Sequence, residues 1–160
     1  DQKRKLAQQM FELTSTKRLK QVKLAYNEKR SEIAKLVKES GNDRERHVVS
    51  EIIAREQTFI NSTSPEKIQQ VTDELGRLEW GILMRTPDFL NAMFAHLGER
   101  RASMNDQIQA SQLIESGKRA MAREDVEELR LVNGRLWDLM PAEDQASDEM
   151  RAYTAYTGIV

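Results

Sequence analysis

The sequence contains no cysteine among its 160 residues, which excludes disulfide frameworks and thiolate metal centres. This absence fits a reducing compartment, and we therefore expect a cytoplasmic protein. No apolar run reaches the roughly 18 residues that a membrane-spanning helix requires, so no membrane partner is expected. Only 3 prolines and 7 glycines interrupt the chain, and this scarcity favours long helices.

Catalytic and phosphate-binding motifs are also missing from the sequence. Neither histidine, His47 or His96, follows a glutamate by three residues as the ligands of di-iron bundles do. The glycines are scattered singly, and no Gly-x-Ser-x-Gly motif occurs. His47 and Glu51 lie one helical turn apart, as do His96 and Glu99, which indicates surface pairs. We expect a non-enzymatic chain with no catalytic residue, no metal site and no cofactor of its own.

The abundant residue types favour helix. Ala, Leu, Glu, Lys, Arg and Gln outnumber Val and Ile, and no window alternates apolar and polar residues as a strand would. Apolar side chains instead recur every three to four positions in successive segments. The sequence therefore predicts an all-α helical bundle of five to six helices, with a long N-terminal helix and a C-terminal antiparallel helix hairpin.

The first helix is predicted from about Lys3 to Glu39. Its apolar positions are interpreted as a single stripe, although the step across Thr14–Thr16 leaves a bend or a break open. Gly41 is expected to end this helix in the left-handed conformation. The apolar positions of the stripe are Leu6, Met10, Leu13, Leu19, Val22, Tyr26, Ile33 and Leu36.

The remaining helices begin at recognisable capping signals. The short connection near residues 122–124 predicts that the last two long helices form the hairpin, and Gly117 and Gly134 suggest close helix approach within it. Pro141 is expected to stop the last of these, with at most a short helix inside residues 142–150. The predicted starts are Asn42 or Asp43, Ser64-Pro65, Thr86-Pro87, Asn105 and the Asp125–Glu128 capping box.

Charge is distributed unevenly along the chain. Residues 1–40 carry 11 Lys/Arg against 5 Asp/Glu, a net of +6, whereas residues 122–160 carry 4 against 9, a net of −5. Such polarity can steer association, or can belong to two solvated faces. The basic stripe of the first helix has only Tyr26 as an interleaved aromatic, so nucleic-acid binding is not expected. We predict a lid-like segment over 1–62, a compact bundle over 63–141 and an acidic tail over 142–160.

Two sets of apolar residues are candidate partner-binding surfaces. The first set covers more than one side of the helix that follows Pro87. It contains aromatic and Met side chains, which are favoured at protein interfaces. The same set is equally typical of the centre of a core. The second set lies on the first helix and would allow two copies to pair. The two sets are Phe89, Leu90, Met93, Phe94 and Leu97, and Leu19, Val22 and Tyr26 together with Ile33 and Leu36.

The stretch from Pro87 to Pro141 contains the segments Thr-Pro-Asp-Phe-Leu and LIESGKRAMAREDVEELRLVNGRLWDLMP. It resembles the C-terminal helical region of divergent bacterial proteins related to the 70-kDa heat-shock chaperones of the DnaK type. Residues 13–89 are similar in texture to the helical lid of such chaperones. The segment SGKRAMAREDVEELR also fits half of a helical repeat of the tetratricopeptide kind.

The resemblance implies a lid or partner-binding module of a chaperone-like ATPase. The ATP-binding and β-sandwich domains of such an ATPase would lie upstream of Asp1. Because the chain starts inside a helical pattern, we expect it to be a piece of a larger protein. Partners would be a client, a co-chaperone or these upstream domains, and a hinge near Thr14–Thr16 or Asn61–Ser64 would let the module move. The alternative function is a homodimerising coiled-coil scaffold or a helical-repeat adaptor.

Overall fold

A computed structural model of the chain describes residues 1–146. All of the regular structure in this range is helical, which confirms the all-α prediction and the long first helix. The α-helices are α1 Gln2–Ser40, α2 Asp43–Ala54, α3 Pro65–Leu83, α4 Pro87–Glu99, α5 Gln107–Ala122, α6 Val126–Asp138 and the single turn α7 Ala142–Gln145. Short 3-10 turns occupy Glu56–Thr58 and Arg101–Ser103.

The helix α1 runs without a break through Thr14–Thr16. The hydroxyls of Thr14 and Thr16 donate to the carbonyl oxygens of Met10 and Glu12 at 2.8 and 2.9 Å, one turn back along the helix. Each hydroxyl is thus satisfied by a carbonyl oxygen of the preceding turn, and α1 stays helical through this step although such bonds weaken a helix slightly. The threonine-rich step is therefore tolerated inside a continuous helix.

The predicted left-handed cap at Gly41 is wrong. Gly41 ends α1 in an extended conformation, with φ −77° and ψ 154°, which any residue can adopt. Its amide donates to the carbonyl oxygen of Val37 at 3.0 Å. A Cβ at this position would lie 2.6 Å from the same carbonyl oxygen, so glycine is required by close packing and not by positive φ.

Most of the predicted helix starts are confirmed. Asn42 caps α2 in a full capping box, because its side chain accepts from the Glu45 amide at 2.8 Å and the Glu45 carboxylate accepts from the Asn42 amide at 2.9 Å. Pro65 and Pro87 are the first residues of α3 and α4. Asp125 caps α6 by accepting from the amide of Glu128 at 3.1 Å, which is one of the two hydrogen bonds of the predicted capping box.

Two of the predicted caps differ from the structure. Asp106 caps α5 by accepting from the Gln109 amide at 2.9 Å, so the expected cap at Asn105 is one residue early. Thr86 does stand at the cap position of α4, but its hydroxyl donates back to the carbonyl oxygen of Ile82 at 2.8 Å. The Thr86 hydroxyl therefore satisfies a carbonyl group at the end of α3 and does not cap the amides at the start of α4.

The chain divides into two compact units, residues 1–79 and the residues from 80 onward. The division falls inside α3, whereas the predicted break at Asn61–Pro65 is a loop within the first unit. The assignment of 1–62, 63–141 and 142–160 to separate domains stays a prediction. The core of the first unit is formed by Val22, Tyr26, Ile33, Val37, Val49, Ile52, Phe59, Ile68 and Leu75.

The second unit is built on α4, α5 and α6. The helices α5 and α6 pack together across the short connection Arg123–Asp125, as the hairpin prediction requires. The buried Asn133 of α6 donates to the carbonyl oxygen of Leu90 at 3.1 Å and ties α6 to α4. The core consists of Leu90, Met93, Phe94, Leu97, Met104, Ala110, Leu113, Ala120, Leu129, Val132, Leu136 and Met140.

The two glycines of the hairpin have different roles. Gly117 is buried, and a Cβ there would collide with the ring of Phe94 on α4. Close approach at Gly117 is therefore confirmed, although the partner is α4 and not α6. Gly134 is exposed, with no atom within 4 Å of a Cβ built on it, so the prediction of close packing at Gly134 is wrong.

Candidate protein-binding surface

The first predicted surface lies in the core of the second unit. Leu90 and Leu97 are fully buried, and Met93 and Phe94 are nearly so. Phe89 is half-buried, and its ring meets that of Trp80 edge-on at 5.7 Å between centroids. In this structure the α4 set holds the bundle together, and only Phe89 retains appreciable exposure. Whether these residues also bind a partner stays a prediction.

The second predicted set faces the interior of the first unit. Val22 and Tyr26 are buried and Leu19 is half-buried. The Tyr26 ring meets Phe59 edge-on at 5.1 Å between centroids. Two copies could not pair through this face without opening the core that it already fills.

A polar cluster closes this buried side of α1. The Tyr26 hydroxyl donates to the Glu56 carboxylate at 2.9 Å, and the Arg30 Nε lies 3.1 Å from that carboxylate. Burial raises the pKa of Tyr26, and the hydrogen bond to the negatively charged Glu56 raises it further. The neutral phenol is therefore the stable form of Tyr26, as befits a structural hydrogen-bond donor.

Lys29 adds a second ionic contact on the same helix. Its ammonium group lies 3.1 Å from the Glu79 carboxylate and 3.0 Å from that of Glu32. The side chains of Lys29 and Glu79 are only 11% and 10% exposed, so this pair is shielded from water. Lys29 and Glu79 thus join α1 to α3 and have no free charge to offer a substrate.

The opposite face of α1 carries large apolar side chains that are open to solvent. We call Leu6, Met10, Leu13 and Leu24 the outer stripe; they are 59%, 61%, 71% and 60% exposed. A step of two residues turns a helix by about 200°, so Leu24 faces away from both Val22 and Tyr26. The prediction of one stripe along α1 is therefore wrong, because the apolar residues divide between two opposite faces.

The outer stripe begins on a part of α1 that has little contact with the rest of the chain. Every residue from 2 to 18 is exposed, and we call this segment the arm. Arg18, at its end, pairs with Glu66 of α3 at 3.0 Å, and both side chains are 59% exposed. The pKa of the Glu66 carboxyl is lowered by a hydrogen bond from its own amide, and further by Ser64 and Arg18.

A cleft of about 480 Å³ in the second unit is a weaker candidate. It lies where α4 begins and the α5–α6 connection turns, and three of its side chains are carboxylates, Asp88, Glu124 and Asp125. Asp125 is committed to capping α6. The residues that line this cleft include no histidine, serine, lysine or arginine, so its polar side chains are the three carboxylates and the amide of Asn91.

Metal-binding clusters and membrane-spanning helices are absent from the described part of the chain. Residues 1–146 contain no group of three or more His, Asp or Glu side chains placed to hold a metal ion. Across that range no helix combines the length and the apolar character needed to cross a bilayer.

The predicted pair of His47 and Glu51 is confirmed, with 3.2 Å between Nε2 and Oε1 on the surface of α2.

The outer stripe is the feature that sequence reasoning missed. Its signal was available, since Leu24 lies about five helical turns beyond Leu6 and on the same side. The seven-residue spacing of Leu19, Tyr26 and Ile33 points to the inner face alone. By contrast, the contacts of Tyr26 with Glu56 and of Lys29 with Glu79 join residues 30 and 50 positions apart, which no local pattern reveals.

No family model, curated protein or solved structure matches the chain. The resemblance of residues 87–141 to DnaK-type chaperones therefore stays an expectation.

Proposed function

We propose that the chain is a non-catalytic, helical protein-binding module that contacts its partner through the arm of α1. The observation that carries this proposal is the outer stripe, four large apolar side chains that are each more than half exposed on one helix face. Phe11 is 72% exposed as well, on a different side of the arm. Leu6, Met10 and Leu13 follow one another directly along this face, and contiguous apolar exposure is typical of interaction sites, whereas single exposed apolar residues are ordinary.

The energetics favour a contact that is reversible. Burying one Leu or Met side chain contributes at most roughly 1.5–3 kcal/mol, so the four residues of the outer stripe contribute roughly 6–12 kcal/mol. Association costs on the order of 4–15 kcal/mol in lost freedom. Because the two ranges overlap, apolar burial alone supports only a weak complex, and further contacts have to supply affinity.

The finer form of the proposal is the lid or C-terminal module of a chaperone-like ATPase. Its support is the resemblance of residues 87–141 and the long first helix that precedes the bundle. The partner would then be a client, a co-chaperone or an upstream domain of the same chain. Of the two predicted hinges, only Asn61–Ser64 is a loop in the structure, and it would be the point of movement.

The homodimerising scaffold is the less favoured alternative. Its residues were Leu19, Val22, Tyr26, Ile33 and Leu36 on α1. Val22, Tyr26 and Ile33 are buried within the first unit, so this face is already occupied. A scaffold would have to use the outer stripe instead.

Site-specific photocrosslinking tests the proposal in cells that produce the full protein. A benzoylphenylalanine is placed at position 10 in the outer stripe, or at position 112, an exposed glutamine on α5 that serves as the matched control. We expect discrete protein adducts from position 10 that are several-fold stronger than those from position 112. Leu6→Ser and Leu13→Ser introduced together should abolish the adducts, because they remove the apolar contact.

Two results would contradict the proposed function. One is adduct formation at position 10 no stronger than at position 112. The other is an adduct that survives loss of Leu6 and Leu13, since the stripe would then not be the surface that binds.

A further inference from the structure

We infer that the partner segment is an acidic amphipathic helix of another protein, which packs lengthwise along the outer stripe. This inference rests on the proposed function and specifies the chemistry of the partner. It follows from the spacing of the stripe, the charges within it and the absence of carboxylates beside it.

The spacing is that of a coiled-coil seam. Leu6, Met10 and Leu13 are followed by Lys17, Lys20 and Leu24, with alternating steps of four and three residues. Such alternation places side chains on one helix edge, where a second helix can interdigitate with them. Lys3 extends the same series by one step toward the start of α1. The seam is thus apolar at Leu6–Leu13 and again at Leu24, with two lysines between.

The charges of the seam are all positive. Residues 1–24 carry 7 Lys/Arg against 2 Asp/Glu, a net of +5. The acidic residues, Asp1 and Glu12, fall outside the seam and outside the positions that flank it. The flanking positions are Gln2, Ala7, Gln9, Thr14, Thr16, Gln21 and Lys23.

The lysines of the seam are available to a partner. Over the described part of the chain, neither Lys17 nor Lys20 forms an ion pair, whereas the neighbouring Arg18 is paired with Glu66. A helix that supplies carboxylates opposite Lys17 and Lys20 would satisfy both charges while its apolar residues cover the leucines. Charged pairs between helices, whether at the seam or beside it, select partner and orientation in helical zippers.

A second copy of the chain is a poor occupant for the same reason. Pairing two arms in parallel would bring together lysines from both seams, and in either direction none of the core or flanking positions would provide a carboxylate to offset them. Nucleic acid fits poorly as well, because a phosphate backbone would leave Leu6, Leu13 and Leu24 in water. The complementary ligand is therefore apolar along one edge and acidic beside it.

Binding of designed peptides to the complete chain tests the inference. Two fluorescein-labelled helical peptides of 28 residues carry identical Leu seams, one flanked by Glu and the other by Lys. At low salt we expect the Glu peptide to bind at least about tenfold more tightly than the Lys peptide. This difference in affinity should shrink as NaCl screens the charges. Fluorescence anisotropy measures both affinities.

Charge reversal on the chain supplies the matched controls. Lys17→Glu with Lys20→Glu should lose the Glu peptide and gain the Lys peptide. Lys67→Glu with Arg77→Glu makes the same change in net charge at two exposed positions of α3 and should leave both affinities within about twofold of wild type. Circular dichroism confirms that each variant remains helical.

The outcomes separate this inference from the function on which it rests. Equal binding of the two peptides, or binding of neither, overturns the acidic partner. Adducts at position 10 would in that case still support the protein-binding function. Self-association that Leu13→Ser abolishes would assign the stripe to a second copy, and tighter binding of a DNA duplex than of the Glu peptide would assign it to nucleic acid. Either result overturns the inference.

Discussion

The phenol of Tyr26 shows how a single buried group links stability to pH. It is fully buried, donates to Glu56 and has a raised pKa. The unfolded chain, in which the phenol has its ordinary pKa of about 10, releases this proton at lower pH than the folded chain does. The stability that Tyr26 contributes is therefore complete below about pH 9 and is lost as pH rises beyond about 10.

Tyr26→Phe should lower the free energy of unfolding by about 1–3 kcal/mol at pH 7, because a hydrogen bond to a carboxylate is lost. The difference in the free energy of unfolding between wild type and variant should decrease above about pH 10. Urea titrations from pH 7 to pH 11, followed by circular dichroism, measure it. A gap that stays constant to pH 11 would show that Tyr26 does not hold its proton more tightly in the folded chain.

Gly117 and Gly134 form a matched pair of helical glycines with opposite expected responses to alanine. At Gly117 the new methyl group would collide with the buried Phe94 ring, and overpacking of this kind costs about 1–3 kcal/mol. At Gly134 the methyl group meets nothing, and helix propensity should stabilise the protein by about 0.5–1 kcal/mol. Both tryptophans lie in the second unit, so their fluorescence reports urea unfolding of that unit directly.

Destabilisation by Gly134→Ala would contradict the exposed position of that residue. A neutral Gly117→Ala would mean that Phe94 can move aside at little cost, despite its place in the core.

At the scale of the element, α1 combines two kinds of helix. From Val22 to Val37 its inner face is buried against the first unit, whereas the arm has only local support. The arm lacks the tertiary packing that supplies most of the stability of helices in proteins. The Thr14-Ser15-Thr16 run lowers its propensity further.

Amide hydrogen exchange should therefore divide α1 in two. Amides of residues 6–16 should exchange at least tenfold faster than those of residues 26–37, because opening the arm exposes no core. Thr14→Ala with Thr16→Ala should slow exchange in the arm without changing residues 26–37. Uniform protection along α1 would instead require packing of the arm that the structure does not contain.

The sequence predicted most of the helices because their boundaries are marked locally. Pro65, Pro87, Asn42 and Asp125 act through groups within three or four residues, which a reader of the chain can see. Gly41 was misread because its role depends on a close approach to Val37 and not on its own φ. The prediction of one stripe on α1 fails because the six-residue step from Leu13 to Leu19 places these two residues on different sides of a continuous helix.

The candidate binding surface was harder to predict than the helices. Apolar residues on α4 suit a core and an interface equally well, and only packing decides between them. The structure places Leu90 and Leu97 at zero exposure and leaves Leu6 and Leu13 open, which no periodicity distinguishes. Burial depends on which helices meet, and that information is spread over the whole chain.

At the scale of the whole molecule, the net charge is only −1, although α1 is strongly basic. A cation-exchange resin responds to the local charge it meets, so the chain should be retained at pH 7 and low salt. Lys17→Glu with Lys20→Glu should elute at clearly lower salt. Lys67→Glu with Arg77→Glu has the same net charge and should shift elution less. Equal shifts would show that total charge, and not its position on α1, governs the interaction.

The opposition of the two faces of α1 has a consequence for how such a chain can diverge. Substitutions on the outward side of the helix leave the packing of Tyr26 and Ile33 untouched, so they carry little penalty in folding. A few changes among Leu6, Met10, Lys17 and Lys20 would suffice to exchange one binding partner for another. Proteins that diverge from this chain are therefore expected to conserve the inward residues of α1. The outward residues are expected to change together with the partner that they bind.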